Sequence, residues 1–275
     1  MKTPATVHKD LFDLTGKKAV VTGAGRGIGK AVALGLANAG ADVGLVSRSE
    51  SELNEVAEIV RALGRRAVVA ASDLTETPGI APLVDRLARD LGGIDILVNN
   101  AGTNIPQDSV AVTEAAWDTV IDINLKAAFF MAQAVGNTMI DQGRGGRIIN
   151  MTSQTGSVAL IKRAAYCASK AGLNLVTKVL AMEWGPHQIL VNAVAPTFVE
   201  TEMTRDMLAD PQFREYAMAK NVLNRFGTTD DVAGAVIYLA SPAASLITGH
   251  VLMVDAGWTA HWQIENQEKI TYGRE

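Results

Sequence analysis

The chain has 275 residues, 48% hydrophobic and 20% charged, the mix of a folded globular protein, which excludes extended disorder. A net charge of −4 argues against a nucleic-acid binder, which needs a basic face, and no apolar run approaches the roughly 18 residues of a membrane helix. A single cysteine, Cys167, excludes an internal disulfide, and with no apolar core of signal-peptide length near the start the expectation is a soluble, cytoplasmic protein.

Short β-branched runs alternate with helical stretches along the chain. Residues 18–22 read as a strand, followed by a glycine cluster and a helix through residue 39. Residues 41–46 read as a second strand and 49–63 as a charged helix. A third strand covers 67–71 and a helix 80–91. Residues 94–99 are mostly apolar, as a strand covered on both faces should be. One long helix is expected over 114–142, opening after Thr113, a residue type that caps helices. A fifth strand spans 146–152, a helix 164–184, a sixth strand 190–195, a helix 229–240 and a last strand 251–254. This alternation implies βαβ units and an α/β fold: a single doubly wound parallel sheet of Rossmann type, with helices on both faces. No repeat, low-complexity tract or linker divides the chain, so one domain over 1–275 is expected. It ends in a polar tail, 261–275, suited to a flexible end or an oligomer contact.

The cluster Gly23, Gly25, Arg26, Gly27, Ile28 and Gly29 joins the first strand to the first helix. Its spacing is G-x-x-x-G-x-G, on Gly23, Gly27 and Gly29. Glycine permits a tight turn and close approach of backbone to phosphate, and the helix N-terminus adds free N–H groups. A ligand-free turn would also use glycine, but the place between strand and helix favours a dinucleotide. The second strand ends Ser47-Arg48. A neutral residue followed by a fork-shaped cation suits a ribose 2′-phosphate, where an acidic residue would repel it. Arg26 offers a second cation, so NADP(H) is expected over NAD(H); the alternative is that both arginines are solvated surface cations.

Tyr166 and Lys170 stand four apart in a helical stretch, on one face. A free tyrosine titrates near 10, and a nearby ammonium favours the phenolate, so the pair suits proton transfer at a carbonyl or alcohol oxygen. Ser153 follows the fifth strand at the edge where open α/β sheets bind ligands, and Asn99 to Gly102 end the fourth strand at that edge. Asn124 lies inside an otherwise apolar helix, where its amide needs a partner.

These motifs, in this order and together with Pro196 to Thr201, resemble the short-chain dehydrogenase/reductase family over residues 14–258. The resemblance implies that Tyr166 is the acid or base, that Ser153 holds the substrate oxygen, and that Lys170 lowers the tyrosine pKa and binds the nicotinamide ribose. Asn124 would hold a water linking Lys170 to solvent. Asn100, Ala101 and Gly102 would line the adenosine ribose, Asp73 and Leu74 the adenine, and Pro196, Val199 and Thr201 the nicotinamide end. The family often has Pro-Gly after the sixth strand, and this chain has Pro196-Thr197, which adds a hydroxyl.

Substrate contacts are expected from Ser153, Gln154, Arg163 and Tyr166, and from the stretch 201–226. Gln154 and Arg163 suit hydroxyls or a carboxylate; Arg163 has solvent exposure as its alternative. The run is similar to sugar-acid and polyol dehydrogenases, with 3-oxoacyl-(acyl carrier protein) reductases as the second reading and Lys162-Arg163 as the basic patch such a partner would need. A non-catalytic NADPH-binding sensor is a third reading, disfavoured because Tyr166, Lys170, Ser153 and Asn124 are all present. The four scattered histidines form no metal-ligand spacing, so no metal is expected. The resemblance also implies a homotetramer.

Overall fold

The computed structural model describes residues 11–260; the polar tail lies outside them. Its centre is β1 (Lys18–Thr22), β2 (Asp42–Ser47), β3 (Ala67–Ala71), β4 (Ile96–Asn99), β5 (Gly146–Met151), β6 (Ile189–Pro196) and β7 (Val251–Val254). The strands lie in the order β3-β2-β1-β4-β5-β6-β7, each neighbouring pair parallel. The chain winds outward from β1 to β3, then returns to the middle and winds the other way from β4. Between β1 and β4 the carboxyl ends of the strands leave a crevice.

The helices are α1 (Gly27–Asn38), α2 (Glu50–Ala62), α3 (Ile80–Leu91), α4 (Glu114–Ile121), α5 (Ala127–Gln142), α6 (Ala164–Trp184), α7 (Arg205–Ala209), α8 (Pro211–Lys220) and α9 (Thr229–Ala240). Strand side chains alternate between the two faces. On one face Ala19, Val21 and Leu45 meet Val32 and Leu36 of α1, Val56 of α2 and Val236 of α9. On the other, Val20 and Leu97 meet Leu87 of α3, Met131 and Val135 of α5 and Leu180 of α6. Burying each such side chain contributes on the order of 1.5–3 kcal/mol, so the sheet edge carrying the site rests on a closed core. Helix starts are fixed by side-chain caps: Ser49 accepts from the Glu52 N–H, Thr113 from the Ala116 N–H, and Thr228 with Asp231 forms a reciprocal box. Among the described residues no helix is long and apolar enough to cross a membrane.

Two segments differ from expectation. The single helix over 114–142 is broken at 122–126 by a π turn between α4 and α5. The extra residue in that turn lets the Asn124 amide reach the chain leaving β4, a tertiary pairing that local periodicity does not register. The stretch 205–220 folds into α7 and α8. Asp210 caps α8, accepting from the Gln212 and Phe213 N–H groups, with Pro211 at its first position. Asp-Pro is a helix-start signal. With Phe198, Phe226 and Trp258, these helices build a small separate core that roofs the crevice beyond β6.

Candidate active site

The turn after β1 is shaped by what a side chain would strike. A Cβ on Gly29 would stand 2.0 Å from the Gly23 carbonyl oxygen, and one on Gly23, at φ +65°, 2.9 Å from Asn100 Nδ2. Only glycine fits at either place. α1 opens at Gly27 with no side-chain cap from Arg26, so first-turn N–H groups and the positive end of the helix dipole are directed into the crevice. Thr22 ties this turn to β4: its Oγ1 accepts from the N–H groups of Asn100 and Ala101, both at 3.0 Å. Asn100 returns its amide N–H₂ to the carbonyls of Thr22 and Gly23. The result is a glycine-floored cradle that fits a dinucleotide pyrophosphate.

The adenosine end holds Ser47, Arg48 and Asp73. Arg48 is exposed. The Asp73 carboxyl is held below its usual range by bonds from the Thr75 N–H and hydroxyl, with a smaller contribution from the Arg48 charge. Leu74 is buried beside them. Arg26 departs from its expected role. Its guanidinium lies 3.3 Å from Glu202 and 3.8 Å from Glu52, so its charge is met by two carboxylates. Arg48 is left as the cation available to a 2′-phosphate.

Across the crevice stand Ser153, Tyr166 and Lys170. Ser153 Oγ accepts from the Thr155 N–H at 3.2 Å and the Thr155 hydroxyl at 2.9 Å. With both lone pairs occupied, the Ser153 O–H is left to donate, and it bonds the Tyr166 phenol. Burial pushes the phenol above its ordinary value, and this serine bond opposes the shift. Lys170 is 4% exposed and donates to the Met151 carbonyl at 2.9 Å. Burial pushes its pKa down to about 8. The Arg163 charge adds a smaller lowering contribution at the phenol. Lys170 Nζ lies over the tyrosine ring, 5.6 Å from its centroid, while it donates to the Met151 carbonyl.

Asn124 is buried beside this group. Its Oδ1 accepts from the Thr103 N–H at 2.8 Å, while its Nδ2 donates to the Thr103 carbonyl and to Ser169 Oγ. Both ends of the amide are engaged by protein, so its side chain positions the chain after Gly102. Gln154 is 2% exposed and its Oε1 has no partner. Arg163 is partly buried, with Nη2 3.4 Å from Met207 Sδ under the roof. Thr197 lines a cavity of about 360 Å³ at the β6–β7 edge together with Val199 and Asp255; its hydroxyl has no partner. The described residues gather no group of three or more His, Cys, Asp and Glu able to hold a metal.

A family profile described as Enoyl-(Acyl carrier protein) reductase matches residues 23–259. The chain belongs to the short-chain dehydrogenase/reductase family. It is 42% identical over 249 residues to the 2-dehydro-3-deoxy-D-gluconate 5-dehydrogenase of Escherichia coli (strain K12), covering 90% of this chain and 98% of that one. It is 41% identical over 248 residues to an NAD-dependent glycerol dehydrogenase of Listeria innocua, covering 90% and 96%. The crystal structure of a gluconate 5-dehydrogenase from Burkholderia cenocepacia J2315 in complex with NADP and tartrate matches with a TM-score of 0.89 at 36% identity, over 92% of this chain and 99% of that one.

Within this short-chain dehydrogenase/reductase frame, several residues have positioning roles that the sequence did not announce, although Thr22 and Asn99 stand in the motifs at the ends of β1 and β4. Thr22 acts through its pairing with residues 78 and 79 positions away. Glu52 reaches Gly25, where a Cβ would meet its carboxylate at 2.7 Å. Thr204 shapes the loop after β6, donating to the Val199 carbonyl and accepting from the Thr201 N–H. Behind the crevice Asn99 donates to Asn150, which donates to Thr177, a buried polar chain linking β4, β5 and α6.

Proposed function

We propose that this one-domain enzyme interconverts a secondary alcohol and a ketone on a sugar, sugar acid or polyol, with NADP(H) preferred over NAD(H). The observation that carries the reading is that Ser153, Tyr166 and Lys170 converge at the crevice into which the glycine cradle opens. Gly23 to Gly29 hold the pyrophosphate, Ser47 and Arg48 the 2′-phosphate, Asp73 and Leu74 the adenine, and Asn100 to Gly102 the adenosine ribose. Pro196, Val199 and Thr201 meet the nicotinamide end, and Lys170 its ribose hydroxyls. When bound, the nicotinamide supplies or accepts the hydride. Ser153 donates to the substrate oxygen. Tyr166 gives its proton to that oxygen in reduction and takes it in oxidation. Lys170, buried beside the phenol, supplies positive charge there once it turns from Met151.

The NADP and tartrate of the Burkholderia structure support both the cofactor and a hydroxy-acid substrate; the Listeria relative's NAD is the contrary precedent that Arg48 outweighs. The acyl-carrier reading loses its basic patch, because Lys162 Nζ lies 3.5 Å from Asp108 and Arg163 turns inward. Exposed Leu175, Val179 and Met182 on α6 support burial against another copy in a homotetramer, and the single cysteine supports a cytoplasmic setting. The test is absorbance at the reduced-nicotinamide band with NADP or NAD and a panel of sugar acids, sugars and polyols. Turnover is expected, and Tyr166→Phe is expected to lower kcat by roughly 10²- to 10⁴-fold. Turnover on an acetoacetyl thioester alone would establish the reductase, and silence with tight NADPH binding the sensor.

A further inference from the structure

We infer that Arg163 selects the substrate by charge: its guanidinium pairs with the carboxylate of a polyhydroxy acid while Gln154 Oε1 accepts from one of its hydroxyls, so the acid is preferred to the matching neutral polyol. The inference rests on the oxidoreductase reading above and names its substrate class.

Arg26, Arg144, Arg214 and Arg225 each have a carboxylate within 4 Å. Among the described residues Arg163 has none; the other arginines without one are exposed, except Arg65 and Arg147, whose guanidinium groups donate to backbone carbonyls. The hydrogen-bond partner of Arg163 is the thioether of Met207 at 3.4 Å, a weak acceptor. Removing a guanidinium from water without an anion is unfavourable, and an arginine does not escape by losing its proton. A bound carboxylate satisfies it, with the bidentate geometry that the fork prefers.

Its direction is built into the backbone. Arg163 precedes Tyr166 by three positions, so the two share a face at the start of α6, and its positive charge is felt at the phenol. The preceding residue, Lys162, has φ +62°. That left-handed conformation costs a side-chain-bearing residue roughly 1–2 kcal/mol. It is held by the Gln107 N–H donating to the Lys162 carbonyl at 3.1 Å and by the ion pair to Asp108. The turn sets Arg163 partly buried beside Met207. Gln154 adds a second signal. It is 2% exposed, adjoins Ser153 and keeps an unpartnered amide oxygen, an acceptor suited to a hydroxyl and unsuited to a carboxylate. In the chain after β6, Glu202 is paired to Arg26 and Glu200 to Arg214.

The test measures kcat/KM for oxidation of a six-carbon aldonic acid and of the matching alditol, with NADP, in wild type, Arg163→Ala, Arg163→Gln and Arg163→Lys. The acid-to-alditol ratio is expected to fall roughly 10- to 100-fold in the Ala and Gln variants, mainly through KM, with partial recovery in the Lys variant and unchanged NADPH affinity. A parallel loss on both substrates, or no loss, would overturn the inference. Should the variants fail to fold, competitive inhibition of the wild type decides: tartrate is expected to inhibit at least tenfold more tightly than erythritol, with high salt weakening tartrate alone. Equal inhibition overturns the inference. Wild type that prefers the alditol overturns it and leaves the oxidoreductase reading standing. Wild type that binds NADPH and oxidises neither compound overturns the oxidoreductase reading itself.

Discussion

Lys170 lends itself to a test that separates charge burial from catalysis. Its side chain is 4% exposed and its pKa is pushed down to about 8 by burial, against about 10.4 for a free lysine. A depressed ammonium pKa means that the fold disfavours the charged form. The penalty is therefore fully present below pH 8 and fades as pH rises towards the unfolded value. Linkage makes it about 3 kcal/mol at pH 7 and under about 1 kcal/mol at pH 10. Lys170→Met keeps the chain length and removes the charge, at a loss of roughly 1 kcal/mol for the bond to the Met151 carbonyl. The variant is expected to be more stable than wild type by about 1–2 kcal/mol at pH 7, a rise in Tm of roughly 2–6 °C, with the gain gone by pH 10. Urea unfolding of the cofactor-free protein at both pH values measures it, alongside loss of turnover. A variant less stable at pH 7, or a gain that does not change with pH, would refute the claim that the fold holds a disfavoured charge at this position.

The remaining predictions address the cradle and the cofactor. Thr22→Val keeps the shape but removes the acceptor of two N–H groups, those of Asn100 and Ala101, and is expected to cost about 2–4 kcal/mol in urea unfolding; a change near zero would show that those groups find other partners. Arg48→Asp is expected to lower the NADP-to-NAD ratio of kcat/KM by roughly 100-fold, since it replaces a phosphate-pairing cation with a repelling carboxylate. Arg26→Ala is expected to shift that ratio far less, because Glu52 and Glu202 already meet its charge; the reverse order of effects would reassign the 2′-phosphate to Arg26.

What the sequence makes legible is what local chemistry announces. Periodicity of two against 3.6 places the strands and their covering helices, and the expected sheet appears with every neighbour parallel. Glycine spacing stands out at its place between strand and helix, whereas the Tyr166–Lys170 pair, an ordinary helix-surface spacing by itself, gains meaning from Ser153 and Asn124 ahead of it in the chain. The unreadable parts depend on partners far along the chain. The π turn at 122–126 follows from Asn124 meeting Thr103, 21 residues earlier. The neutralised Arg26 follows from Glu202, 176 residues away. The roof helices were hidden for another reason: α7 and α8 bury their apolar residues against a small core with Phe198 and Trp258, so neither shows the long apolar stripe of a helix on the sheet.

Four unfavourable groups of this molecule collect at one end of it. Lys170 is charged and buried, Gln154 keeps an unpaired amide oxygen, Arg163 lacks a carboxylate, and Lys162 holds a left-handed turn. Each alone is worth a kcal/mol or more against folding on general grounds. All lie at the carboxyl edge of a sheet whose two faces are closed by apolar helices, which is where surplus stability is available to hold them. In the roles proposed above, ligands would relieve the same features: ribose hydroxyls would offer acceptors to Lys170, a carboxylate would answer Arg163, and a hydroxyl would answer Gln154. Binding energy and folding strain are then the same interactions counted in two states, so cofactor and acid together should stabilise this enzyme more than either does alone.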